Sequence, residues 1–245
     1  MLVCPCASAQ TYDPSTQHPR SADESVLEIL RVAKSQREHL GPYTVTRRYT
    51  LCNGHLKSAT ILQVMWTYKP GVGKQFKVLS SQGSSGLAQR ALMEVLETEA
   101  KNSRLKTDPS SITLDHYSFE LAASEQNNYK LRLTPRHKNK YLVNGYALVK
   151  ESNNTIVRVE GRTSKRLSFW VSNADVVQEF ANYAGFWLPS KTQSTANVRF
   201  AGKVDLTIEA GDYDFARRVS STLRHLAWEF SDFLPLSFGR LAPAC

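Results

Sequence analysis

The chain has 245 residues, 41% of them hydrophobic and 22% charged, which is ordinary globular composition and excludes a collagen-like or disordered polymer. It contains no uninterrupted apolar run of the roughly 18 to 20 residues that a bilayer-spanning helix needs. The net charge of +9 admits a polyanionic partner or an acidic membrane surface without demanding either.

Residues 1–9 end in Ala7-Ser8-Ala9 before Gln10, the small-residue pattern of a secretory cleavage site. The basic start and full apolar core of a signal peptide are missing, so residues 1–20 read as the tail of one followed by an unstructured leader. Cleavage after Ala9 would leave Cys52 and Cys245, and neither their number nor the spacings suggest a disulfide framework or a metal site. Ser21-Ala22-Asp23-Glu24 is a capping box. Val26, Leu27, Ile29, Leu30 and Ala33 follow at helical spacing, and Gly41-Pro42 ends that helix.

From Tyr43 the period changes to two. Tyr43, Val45, Tyr49 and Leu51 share a face, and Asn53-Gly54 turns the chain. Leu62, Val64, Trp66 and Tyr68 form the apolar face of a second strand, and Phe76 and Val78 lie on a third. Gly83-Ser84-Ser85-Gly86 precedes a second helix whose buried stripe is Leu87, Ala91, Leu92, Val95 and Leu96. Residues 101–111 form a polar connection. Strands follow at 117–121, 129–133, 141–150, 155–161, 167–171, 176–183 and 186–200. A further strand, with Val204, Leu206, Ile208 and Ala210 on one face, is the cleanest alternation in the chain. Such spacing means antiparallel neighbours with one wet and one dry face. The result is a large curved single-layer sheet whose dry face exceeds what two short helices can cover, unless the sheet closes on itself and packs solid.

Catalytic and cofactor motifs are absent. The chain has no nucleophile elbow, no phosphate loop and no His-Glu-x-x-His, and its six histidines show no ligand spacing. Gly83-Ser84-Ser85-Gly86 lacks the lysine of a phosphate loop and reads as a plain helix start. No catalytic residue, metal or cofactor is expected. Basic residues gather at Arg132, Arg136, Lys138 and Lys140 and again at Arg162, Lys165 and Arg166. Nearby Tyr129, Tyr141, Phe169 and Trp170 would suit a single-stranded nucleic acid, but an export signal removes the chain from one, so no nucleic-acid partner is expected. The basic set is instead assigned to reversible contact with anionic head groups at a membrane face.

The second half carries a resemblance. His116-Tyr117-Ser118-Phe119-Glu120-Leu121, Lys130-Leu131-Arg132-Leu133-Thr134-Pro135 and Lys138-Asn139-Lys140-Tyr141 come first. Val159-Glu160-Gly161-Arg162, Ser168-Phe169-Trp170-Val171, Gly185-Phe186-Trp187-Leu188-Pro189 and Gly202-Lys203-Val204-Asp205-Leu206-Thr207-Ile208 complete the set. In order and spacing these resemble the bacterial outer-membrane lipoprotein-sorting proteins (LolA/LolB/RseB-like). The resemblance implies an α+β fold: a large curved antiparallel sheet forming an incomplete β-barrel, with helices covering the open, concave side. It also implies a non-enzymatic role in the periplasm or cell envelope, holding acyl chains of a lipid or lipoprotein. On this reading residues 21–214 form the half-barrel domain. Residues 215–245 depart from the family pattern as an amphipathic helix and tail. Period places Leu62, Val64, Trp66, Tyr68, Phe76 and Val78 on the cavity wall, with Leu30 and Leu92 facing them from the helices. A sensor of envelope stress or an interaction protein on the same fold is the alternative, and a hydrolase is the third. Sequence does not decide the oligomeric state.

Overall fold

The computed structural model describes residues 22–54, 59–83, 86–125 and 127–215. The proposed signal remnant, the Ser21 cap, and the C-terminal helix from residue 216 onward lie outside the described residues. The first helix, α1 (Ala22–His39), carries Asp23 and Glu24 in its first turn and Arg37 and His39 in its last, both signs suited to the helix dipole. Then come β1 (Tyr43–Asn53), β2 (Thr60–Lys69) and β3 (Gly73–Gln82), followed by α2 (Gly86–Asn102). After a long connection the chain returns as β4 (Tyr117–Glu125), β5 (Asn128–Pro135), β6 (Val143–Lys150) and β7 (Thr155–Thr163). It ends in β8 (Asp175–Tyr183), β9 (Phe186–Val198) and β10 (Gly202–Phe215).

All ten strands form one sheet in the order β3-β2-β1-β10-β9-β8-β7-β6-β5-β4, and every neighbouring pair is antiparallel. Two hairpin meanders are therefore joined side by side through β1 and β10. The sheet is open, with β3 and β4 as its edges. The architecture is α+β, as expected.

The two helices dock at opposite wings of one face. Leu92, Leu96 and Ala100 of α2 pack with Tyr43, Val45 and Tyr49 of β1 and with Leu62, Val64 and Trp66 of β2. Val26 and Ile29 of α1 pack with Leu131, Leu133, Ala147, Val149 and Val159 from β5 to β7. One cross-strand row follows the consequence through the sheet. In register it runs Leu131, Ala147, Val159, Gln178, Thr192, Ile208, Tyr49, Leu62. Both ends of the row are buried, while Gln178, Thr192 and Ile208 in the middle are only half-buried. Neither α1 nor α2 thus sits squarely on the central strands β8 to β10.

The other face is wet. There Arg158, Glu179, Lys191, Glu209 and Arg48 succeed one another in register with alternating charge. Arg158 reaches Glu179 at 3.1 Å and Lys191 reaches Glu209 at 3.7 Å.

Three expectations need correction. The buried stripe of α2 is Ala88, Leu92, Leu96 and Ala100, while Leu87, Ala91 and Val95 are exposed. Residues 167–171 are not a strand but part of the connection between β7 and β8, touching the sheet through a single bridge from Val171 to Val198. The Ser168 hydroxyl accepts hydrogen bonds from the backbone N–H groups of Trp170 and Val171 at 3.2 and 3.1 Å. That local capture replaces a ladder partner. Cys52, read as a bland cysteine, is disulfide-bonded.

Candidate functional site: a cavity between the helices and the central strands

Because the helices stand apart over the two wings, a space of about 1340 Å³ remains between them and the middle of the sheet. Val32 and Gln36 of α1, with Leu40 just after it, wall one side, and Ala91, Val95 and Glu99 of α2 the other. The connection after α2 contributes Leu105, Ile112 and Thr113. The floor comes from the strands that neither α1 nor α2 covers: Phe180, Phe186, Leu188, Thr192, Ile208 and Ala210. The Gln36 side chain accepts a hydrogen bond from the Trp187 backbone N–H at 3.1 Å, tying α1 to β9 across the space.

One end of the cavity is polar and tightly paired. Arg47 of β1, buried, donates to Glu99 of α2 at 2.8 Å, and Lys74 of β3 donates to the same carboxylate oxygen at 2.7 Å. Arg47 also donates to the Tyr213 hydroxyl at 3.3 Å, which in turn donates to the Pro189 carbonyl at 2.9 Å. Burial pushes the Glu99 carboxyl up, but the charges of Arg47 and then Lys74 outweigh it and hold the group down at about 2. Burial pushes the Tyr43 and Tyr49 phenols up to about 12, so both stay protonated donors. Around this group Tyr43 stacks on Tyr68 at 5.1 Å and meets Tyr213 edge-on at 5.2 Å. Two cations and one anion leave this corner one positive charge beside an aromatic wall.

Of the residues assigned to the cavity wall from sequence, Tyr68 lines it. Leu62, Val64, Trp66 and Leu92 are at most 1% exposed in the core between α2 and the sheet, with Phe76 and Val78 packed against them. Leu30 packs on the other core, under α1. The reason is that α2 sits directly on β1 and β2 and fills that part of the dry face. The floor residues of β8 to β10 were visible as strand alternation, but nothing local marked them as the uncovered ones.

The basic set is largely brought together. Arg136, Lys138 and Lys140 lie in connection 136–142, and Lys165 and Arg166 in connection 164–174. The two connections are joined by hydrogen bonds from the Asn139 N–H to the Ser164 hydroxyl and from that hydroxyl to the Asn139 carbonyl. Arg162 ends β7 beside them and pairs with Asp175 at 3.8 Å, both side chains exposed. Arg132 stands apart on the outer face of β5, with its guanidinium 5.4 Å from the Tyr146 ring centre.

Among the described residues no group of three or more His, Cys, Asp or Glu could hold a metal ion, and no helix is long and apolar enough to cross a membrane.

No protein family's sequence profile matches the chain, and no curated protein sequence is similar to it. Solved structures are. A LolA superfamily protein from Nitrosomonas europaea matches with 16% identity and a TM-score of 0.40, over 78% of this chain and 93% of its own. An outer membrane lipoprotein-sorting protein domain from Vibrio parahaemolyticus matches with 16% identity and a TM-score of 0.41, over 80% of this chain and 94% of its own. The MucA/MucB complex of Pseudomonas aeruginosa matches at 9% identity and a TM-score of 0.23, over 76% and 93%.

Proposed function

We propose that this chain is an exported, non-enzymatic carrier that holds acyl chains of a lipid or lipoprotein in the cavity between its helices and central strands, in lipoprotein sorting to the outer membrane. The observation that carries the proposal is the cavity itself. At about 1340 Å³ it exceeds the roughly 300–1,000 Å³ of ordinary small-molecule pockets. Its floor is largely apolar and aromatic, Phe180, Phe186, Leu188 and Ile208 outweighing Gln178 and Thr192, which suits a long flexible hydrocarbon. The paired corner at Arg47, Lys74 and Glu99, with one positive charge in excess, suits the polar end of such a ligand. The lipid-holding residues are those of the uncovered floor, joined by Tyr68. Trp66 and its neighbours act as the packed wall behind them.

We take residues 21–214 as the carrier domain and residues 215–245, on their sequence, as a C-terminal amphipathic helix and tail. The disulfide at Cys52 supports an oxidising compartment, in keeping with the periplasm or cell envelope. The basic connections at one end supply encounter with anionic membrane.

Native mass spectrometry of the chain purified gently from membranes tests this. Bound acyl-chain mass is the expected result. A chain that is always empty and turns over ester or glycoside substrates would overturn it.

A further inference from the structure

Three connections at one end of the sheet, 136–142, 164–174 and 199–201, contain six Lys or Arg residues and no Asp or Glu. They come together because β5–β6, β7–β8 and β9–β10 all turn at that end. At the opposite end the connections 70–72, 151–154 and 184–185 hold no Lys or Arg and one acid, Glu151. The positive end also carries rings. Phe169 is 67% exposed, Trp170 53% and Phe200 87%. Phe169 and Trp170 meet edge-on at 5.0 Å, and Trp170 lies 6.1 Å from Phe200. The Arg199 guanidinium sits 5.7, 5.8 and 5.4 Å from the three ring centres.

Turn chemistry does not account for this cluster. Phe200 is at φ 69°, a conformation that bulky residues avoid and that Gly or Asn would supply at no steric cost. The Phe200 ring held there stays largely exposed, beside Arg199 and Trp170.

We propose that this end of the sheet is a membrane-docking tip that seats Phe169, Trp170 and Phe200 in the interfacial layer of an anionic bilayer. Trp and Phe with adjoining cations are the side chains that settle at head-group level. Six cations without an acid in the three connections complement a negative surface, each acting within a Debye length of about 8 Å. The rings protrude from hairpin tips rather than lining a groove. A fluid interface accepts that shape, whereas a folded partner would need a pocket to receive it. The same connections reach the cavity, since Lys140, Leu167 and Ser168 line it. Docking would therefore set the cavity beside the bilayer. The inference rests on and deepens the membrane encounter proposed above, and it stands even if the cavity is found empty.

The test is co-sedimentation of the full chain with phosphatidylcholine vesicles, with and without phosphatidylglycerol, at low and high salt. Wild type is expected to bind the anionic vesicles, with a blue shift of tryptophan emission that Trp170→Phe abolishes. The triple variant Phe169→Ser, Trp170→Ser, Phe200→Gly should bind about tenfold or more weakly at both salt concentrations. Reversing Lys138, Lys165 and Arg166 to Glu should weaken binding chiefly at low salt. All three rings are exposed, so thermal melts should match wild type; if the triple variant fails to fold, Trp170→Ser alone is read by the same assay. Wild type that ignores anionic vesicles, or a triple variant that binds them as wild type does, would overturn the proposal. So would loss of self-association in the triple variant with vesicle binding unchanged, which would make the patch a protein interface.

Discussion

Arg47 donates to Glu99 at 2.8 Å and so bonds β1 to the last turns of α2, at the corner where the cavity meets the core. The two side chains are 7% and 26% exposed. A pair this sheltered is costly to break from one side, because the survivor is left buried and uncompensated. Glu99→Gln should therefore lower stability by about 3 kcal/mol or more, read by urea unfolding at neutral pH. The sign of the pH dependence follows from the direction of the shift. The Glu99 carboxyl falls from its ordinary 4.5 to about 2 on folding. Its contribution is thus fully present above pH 4.5 and disappears as pH falls through 2, and Glu99→Gln should flatten the acid limb of the stability curve over that window. An acid limb unchanged by the substitution would show that other carboxylates dominate it.

Trp66 donates to the Tyr49 hydroxyl at 2.9 Å and lies 5.3 Å from the Phe76 ring, 1% exposed. Truncating such a residue opens a void that a packed core cannot close, at a cost of about 3–5 kcal/mol for Trp66→Ala. Because Trp66 stands behind the cavity rather than in it, acyl-chain uptake by the folded fraction should be unchanged. A small loss of stability with a large loss of uptake would return Trp66 to the cavity wall.

Gly145 and Gly161 face one another across β6 and β7. A Cβ at Gly161, where φ is 155°, would meet the Asn144 carbonyl oxygen and sit 2.7 Å from the Gly145 Cα. Overpacking and backbone strain together predict a loss of about 2–4 kcal/mol for Gly161→Ala. Gly86→Ala, where an added Cβ meets nothing within 4 Å, should stay near wild type. Equal melting temperatures for the two variants would contradict the close approach.

Strand and helix positions were legible where one period ran unbroken. The Val204, Leu206, Ile208, Ala210 alternation falls within β10, and the spacing of Val26 and Ile29 within α1. Residues 167–171 misled because alternating apolar residues say nothing of whether a ladder partner exists, and the Ser168 hydroxyl captured the N–H groups first. Which part of the dry face stays open was hidden for a related reason. Period assigns a residue to a face of the sheet but not to what sits on that face. Trp66 and Ile208 were equivalent in the sequence, and only the docking of α2 over β1 and β2, one wing of a ten-stranded order, separates a filled wall from an open floor. The basic connections, distant along the chain, met at one end through hairpin topology, which no local pattern encodes.

The central claim is that the space over β8 to β10 takes up hydrocarbon. Its most direct test is titration of a fluorescent fatty acid into wild type and into Ala210→Trp, which places an indole on the cavity floor. The account predicts saturable uptake by wild type and loss of most of it in the folded variant. Uptake by Ala210→Trp equal to wild type, or no saturable uptake by either, would contradict it.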